Sequence, residues 1–292
     1  MDLLKPEIIE EIGSLNLRAR LVVEGFLIGL HQSPFHGFSL EFHEHRPYYP
    51  GDPINRINWK LYGRTDRYYL RKYQAETNLS AYLLLDKSKS MDYGGKITKF
   101  HYARTLAASL AYLLLHQNDS VGLVVFDRGV KTFLPPKSRL THLKLLLKDL
   151  ANAGPSEKTS ISDVIFNIAP MIKRRSLIIV FSDLLEDPDE VIKAFRLIRV
   201  RKNEVIVFHI LDRDEREFEF TEQALYRDME DYTTIPVNPL NIKELYRNRF
   251  NEFLKLYRAG FAHNRIDYSL ITTDTPYNKA LRKYLSKRKR LS

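Results

Sequence analysis

Three short stretches carry oxygen-bearing side chains in positions that could hold a hard cation. The first is Asp86-Lys87-Ser88-Lys89-Ser90, a carboxylate followed by hydroxyls at alternate positions. The second is Thr159, and the third is Asp183, which closes the run LIIVFSD. These groups offer oxygen alone, with neither sulfur nor imidazole. Such a set suits Mg²⁺ or Mn²⁺ rather than zinc. Several side-chain oxygens and few charges also leave a coordination position for a carboxylate from outside.

The elements that must position these groups follow from the apolar pattern. Asp86 ends the run Tyr82–Leu85, and Asp183 follows Leu177–Phe181. An apolar run of this length bounded by polar residues reads as a buried strand. Two such strands in one parallel sheet end on the same edge, where open α/β folds place their ligands. From residue 79 onward strand and helix alternate. Strands are expected at Ala81–Asp86, Val121–Phe126, Leu177–Phe181, Val205–Leu211 and Ile266–Ile271, with Val130–Leu134 as a hairpin partner. Helices are expected at Thr98–Gln117, Leu140–Leu150 and Ser162–Met171, from Asp187-Pro188 to Val200, at Ile242–Tyr257 and from Tyr277 onward. This alternation predicts an α/β fold with a doubly wound, mainly parallel sheet. Asp212–Glu219 reads as a charged loop and Ala224–Val237 as a hairpin or irregular excursion, while Asp183 followed by Glu186 and Asp187 has a solvated acidic loop before a helix as its alternative reading.

The first 78 residues differ in character. Ile8, Ile9, Ile12, Leu15, Leu21, Val22 and Phe26 recur at helical spacing, so one helical stretch is expected from Pro6 to Leu30. Residues 31–78 crowd Gly, Pro, Tyr, His and Arg together. Phe38-Leu40-Phe42 and Tyr69-Arg71-Tyr73 alternate as strands do, and Pro50-Gly51-Asp52-Pro53 is a turn signal. The expectation is short strands and turns rather than helices. The domain reading is therefore an N-terminal helical segment (1–30), a small β-rich subdomain (31–78) and the α/β domain (79–292).

Composition narrows the function. The 292 residues include no cysteine, which excludes disulfides, thiolate zinc sites, iron–sulfur clusters and cysteine nucleophiles. No apolar segment approaches the roughly 20 residues that cross a bilayer, so a soluble cytoplasmic protein is expected. The formal charge of +10 admits nucleic acid, anionic surfaces or acidic proteins as partners. Arg56, Arg64 and Arg67 lie among Trp59, Tyr62 and Tyr68, and such residues can stack on bases. They can equally stack on one another inside a small subdomain. No phosphate-binding glycine loop of Walker type occurs, so intrinsic NTPase activity is not expected. A metal-dependent phosphoesterase with Asp86 as nucleophile is a further alternative. Phosphatases of the haloacid dehalogenase type carry a second Asp two positions on, however, and here Ser88 stands there.

The series Asp86-x-Ser88-x-Ser90, Thr159, Asp183 resembles the metal-ion-dependent adhesion site of von Willebrand factor A domains. That resemblance implies Ser88, Ser90 and Thr159 as direct or near-direct ligands of Mg²⁺. It implies Asp86 and Asp183 acting largely through water, and an acidic residue of a partner protein completing the shell. The adhesion site often has Asp after the Thr, whereas this chain has Ser160. Upstream, Tyr49-Pro50-Gly51-Asp52, Arg56-x-Asn58-Trp59-Lys60 and Arg64-Thr65-Asp66 are similar to the signature of the bacterial "domain of unknown function 58" proteins, which carry a von Willebrand A-like domain after such a segment. The likeness runs from about Ser33 to Asp183. Family members are often encoded beside MoxR-type AAA+ ATPases. The resemblance thus implies a non-enzymatic, metal-dependent protein-binding module that serves as an adaptor or partner of such an ATPase.

Overall fold

The computed structural model describes residues 4–31, 45–47, 59–71, 79–156, 160–173, 175–218, 224–227, 234–237 and 239–288. In chain order the elements are α1 (Pro6–Glu10), α2 (Leu15–His31), β1 (His45–Pro47), α3 (Trp59–Thr65), β2 (Tyr69–Arg71), β3 (Ser80–Asp86), α4 (Lys99–His116), β4 (Ser120–Phe126) and β5 (Val130–Lys137). They continue with α5 (Leu140–Asn152), α6 (Ile161–Ile168), β6 (Leu177–Ser182), α7 (Pro188–Val200), β7 (Glu204–Leu211), α8 (Arg213–Glu217), β8 (Ala224–Arg227), β9 (Thr234–Val237), α9 (Pro239–His263), β10 (Asp267–Thr272) and α10 (Tyr277–Arg288).

The main sheet has six strands in the order β10-β7-β6-β3-β4-β5. Every neighbouring pair is parallel except β4–β5, which forms the antiparallel edge. Alternation along β3 shows why it lies at the centre. Leu83 and Leu85 enter the apolar layer built with α2, α4, α5 and α10, while Tyr82 and Leu84 enter the layer built with α6, α7 and α9. A strand covered on both faces must be apolar at every position, hence the unbroken run before Asp86. From β3 the chain winds outward to β4 and β5, then returns to β6 on the other side of β3. The gap between β3 and β6 is thus the switch point of the sheet, where a doubly wound fold leaves a crevice at its carboxyl edge.

The helices begin where their caps dictate. The Thr98 hydroxyl accepts the His101 N–H at 3.2 Å at the start of α4, and the Asp187 carboxylate accepts the Asp189 N–H at 2.8 Å at the start of α7, with Pro188 as its first residue.

Three expectations are corrected or refined. The N-terminal helical stretch holds two helices, α1 and α2, parted at residues 11–14 where Gly13 and Ser14 favour a turn. Glu10 ties the pair to the core: it pairs with Arg18 and accepts hydrogen bonds from Thr105 and Tyr277 at 2.6 and 3.1 Å. In residues 31–78 the strands β1 and β2 pair antiparallel, but the helix α3 lies between them. Leu61 and Tyr62 are half-buried while Arg64 and Thr65 face solvent, a two-sided pattern that suits one helical turn more than a strand. Tyr62 stacks on Tyr68 at 4.5 Å, so these two rings are used on each other. Phe38-Leu40-Phe42 and the Pro50–Pro53 turn lie outside the described residues. The third correction is Asp212–Glu219, where the charged stretch forms α8 under a capping box: Asp212 accepts the Asp214 N–H at 3.0 Å, and Glu215 accepts the Asp212 N–H at 2.9 Å. Among the described residues no helix is long and apolar enough to cross a membrane.

The edge strand depends on one glycine. A β-carbon at Gly122 would lie 2.7 Å from the Leu134 carbonyl oxygen and 3.0 Å from the Pro136 nitrogen, where the β4–β5 register shifts. Backbone cannot yield as a side-chain tip can. Gly122→Ala is expected to cost about 1–3 kcal/mol. Urea unfolding checks this, and an unchanged midpoint would show that β5 moves freely.

Candidate metal centre

Register brings the first two acidic positions together. Leu85 pairs with Phe181 across β3 and β6, which sets Asp86 beside Ser182. The Ser182 hydroxyl donates to Asp86 Oδ2 at 2.7 Å, and the Ser88 backbone N–H donates to Asp86 Oδ1 at 2.8 Å. Asp86 is fully buried. Burial first, and the neighbouring Asp183 second, push its carboxyl up to about 7, against the pull of these hydrogen bonds. Beyond Asp86 the chain tightens into a 3₁₀ turn, Lys89–Asp92. The turn brings the Ser88 and Ser90 hydroxyl oxygens to 3.0 Å from each other, both residues buried.

The loop that leads to Thr159 is tied to the same edge. The Ser156 N–H donates to the Lys87 carbonyl at 2.9 Å, and its hydroxyl donates to Asp127, at the end of β4, at 2.5 Å. Lys87 in turn lies 3.5 Å from Asp127. Thr159 itself lies outside the described residues. Its neighbour Ser160 is the N-cap of α6 but makes no side-chain cap. Glu186 supplies that function from the β6–α7 loop, accepting the Ile161 and Ser162 N–H groups at 2.9 and 3.3 Å. The alternative of a solvated acidic loop does not hold for Glu186, which ties the start of α6 to the loop that follows β6.

Asp183 is also fully buried. Its Oδ2 accepts from the Lys99 ammonium at 2.8 Å, and the same ammonium reaches Glu215 Oε1 on α8 at 2.6 Å. Burial pulls Lys99 down, but Asp183 and Glu215 outweigh it and hold the ammonium above its ordinary value. The other oxygen, Asp183 Oδ1, is buried and has no hydrogen-bond partner among the described residues. His209, opposite Ser182 in β7, contacts the Tyr268 hydroxyl at 2.7 Å, and burial pushes its imidazole down to about 4, so it adds no charge at neutral pH.

Of the five expected ligands, Asp86, Ser88, Ser90 and Asp183 therefore gather at one edge. Among the described residues no three His, Asp or Glu side chains form a metal-binding cluster; the oxygens here are two carboxylates and two hydroxyls. In kind they fit a hard divalent cation, and the unpartnered Asp183 oxygen is an acceptor that a cation would satisfy. The motif did not reveal Lys99, Ser182, Glu186 and Glu215. Ser182 carried a signal, since it stands between the apolar run and Asp183; the other three carried none.

The strand order and the polar edge at its switch point define a doubly wound, mainly parallel α/β protein. The family described as "Protein of unknown function DUF58" matches residues 44–259, and the chain belongs to it. Uncharacterized proteins of Mycobacterium bovis and Mycobacterium tuberculosis are 24% identical to it over 265 residues, covering 89% of this chain and 82% of theirs. Among solved structures, BatB from Bacteroides thetaiotaomicron is 19% identical with a TM-score of 0.48, covering 73% of this chain and 99% of its own. The SpRpn10 VWA domain is 12% identical with a TM-score of 0.42, covering 70% and 94%. The von Willebrand factor type A protein of Catenulispora acidiphila is 12% identical with a TM-score of 0.35, covering 59% and 42%.

The position of Asp86 has a consequence for stability. Its folded-state value of about 7 lies above the ordinary 3.8, so the folded chain binds this proton more tightly than the unfolded chain. The contribution is most favourable below pH 4 and is lost as the pH rises toward 7. In EDTA, Asp86→Asn should gain on the parent chain by about 2–3 kcal/mol between pH 5 and pH 8. Urea unfolding at the two pH values measures the gap; a gap that does not change with pH contradicts the assignment.

Proposed function

We propose that this chain is a non-enzymatic protein-binding module whose edge site takes Mg²⁺ or Mn²⁺ and, through the ion, a carboxylate of a partner protein. The observation that carries this reading is the convergence of Asp86, Ser88, Ser90 and Asp183 on one buried edge, with one Asp183 oxygen unpartnered. Ser88, Ser90 and Thr159 would hold the ion, with Asp86 and Asp183 orienting the shell. A bound ion would supply a Lewis-acidic position for the incoming carboxylate. Both Asp86 oxygens accept hydrogen bonds and the residue is closed to solvent, which suits an orienting group and disfavours a phosphoryl-accepting nucleophile.

A second surface supports a protein ligand. Beside the edge lies a groove of about 450 Å³ lined by Leu185, Leu245, Tyr246, Phe250, Phe253 and the cationic Arg249. Leu185 is 45% exposed and Leu245 55%. Leu185 stands two positions after Asp183, and the Tyr246 hydroxyl donates to the Glu215 carbonyl at 2.8 Å, so groove and edge share a wall. An apolar groove with one cation beside it suits a segment that presents a large apolar side chain next to an acidic one. The family resemblance makes a MoxR-type AAA+ ATPase the partner of choice.

A pull-down from native lysate, with and without EDTA, tests the reading. A MoxR-type ATPase should be recovered only with divalent metal and should be lost with Ser88→Ala/Ser90→Ala. Recovery that persists in EDTA and in the variant would remove the metal from the mechanism.

A further inference from the structure

We propose that Lys99 is a tethered cation that competes with the divalent ion for Asp183, so that the edge site holds its ion firmly only when a partner carboxylate joins it. This inference rests on the cation-site reading above and concerns the regulation of that site.

The geometry behind it is specific. Lys99 is the first residue of α4, and its side chain is closed to solvent. The next residue, Phe100, is packed into the core, so the lysine stem is not free to swing out to water. The ammonium lies 2.8 Å from Asp183 and 2.6 Å from Glu215, with the Tyr93 ring 5.8 Å away. It cancels one of the carboxylate charges that would otherwise attract a divalent ion. An ion approaching Asp183 also meets an ammonium already within hydrogen-bond range of the same carboxylate. In a water-poor site that repulsion is poorly screened. A carboxylate arriving from outside restores the negative charge, so ion and partner each strengthen the binding of the other. Glu215 makes the exchange feasible. It offers the ammonium a second seat, held in place by the Asp212 capping box and by Tyr246, so Asp183 can turn to the ion without stranding the lysine.

The test uses the full chain, Mn²⁺ alone and no partner, with free Mn²⁺ followed by electron paramagnetic resonance. Lys99→Met should bind Mn²⁺ at least tenfold more tightly than the parent chain, and the gain should vanish when Ser88→Ala/Ser90→Ala is added. Lys99→Met leaves the buried Asp183 and the half-buried Glu215 without their cation. If melting in EDTA shows it unfolded, Lys99→Met/Glu215→Gln carries the same test with one fewer such carboxylate. Equal or weaker binding by the lysine variants, still dependent on Ser88 and Ser90, overturns the competition and leaves the site standing. Binding indifferent to Ser88 and Ser90, or no binding by any variant, overturns both.

Discussion

A carboxylate at the end of a fully buried strand must be offset, because the sheet that carries it excludes the water that would otherwise solvate it. Here two such strands, β3 and β6, lie side by side and in parallel, and each delivers an aspartate to the same edge. The surrounding structure answers that constraint. Asp86 is held by the Ser88 N–H and the Ser182 hydroxyl, Asp183 by Lys99, and Lys99 by Glu215. Each partner comes from a different element: the β3 loop, β6, α4 and α8. The edge is therefore a junction through which four elements fix one another, and its polar groups are placed before any ligand arrives.

Much of this was legible in the sequence, and the reason is local. A strand buried on both faces is an unbroken apolar run, so β3, β4, β6 and β7 announce themselves, and their abrupt polar ends mark the edge. Thr98 and Asp187-Pro188 mark helix starts by chemistry that acts within three residues. The closeness of Asp86, Ser88 and Ser90 was readable for the same reason, since the three lie in one turn. What was hidden is what the topology assembles. Lys99 is 84 positions from Asp183 and 116 from Glu215, and a lysine in the first turn of a helix reads as solvated until the sheet closes over it. Glu215 lies in a five-residue helix, too short for any periodicity to show. Glu186 caps a helix that begins 25 positions earlier, so its acidic neighbourhood reads as a surface turn. Helix α3 was missed because its aromatic and basic residues fit a short strand as readily as a single helical segment.

The loop between β6 and α7 shows how the constraint is met at the backbone. Leu184 adopts a φ of 51°, a left-handed conformation that costs energy for a residue with a branched side chain. It is kept there by both of its polar backbone groups: the N–H donates to the Ser182 hydroxyl at 3.0 Å, and the carbonyl accepts from the Tyr257 hydroxyl at 3.0 Å. Tyr257 also donates to the Glu186 carbonyl at 3.0 Å, which clamps the turn from α9. The reversal sends four consecutive side chains to four environments. Asp183 meets Lys99, Leu184 enters the core, Leu185 opens onto the groove, and Glu186 caps α6. An extended backbone would alternate these residues between two faces and could not serve four environments. The strained residue is thus what places the polar edge and the apolar groove on either side of one loop.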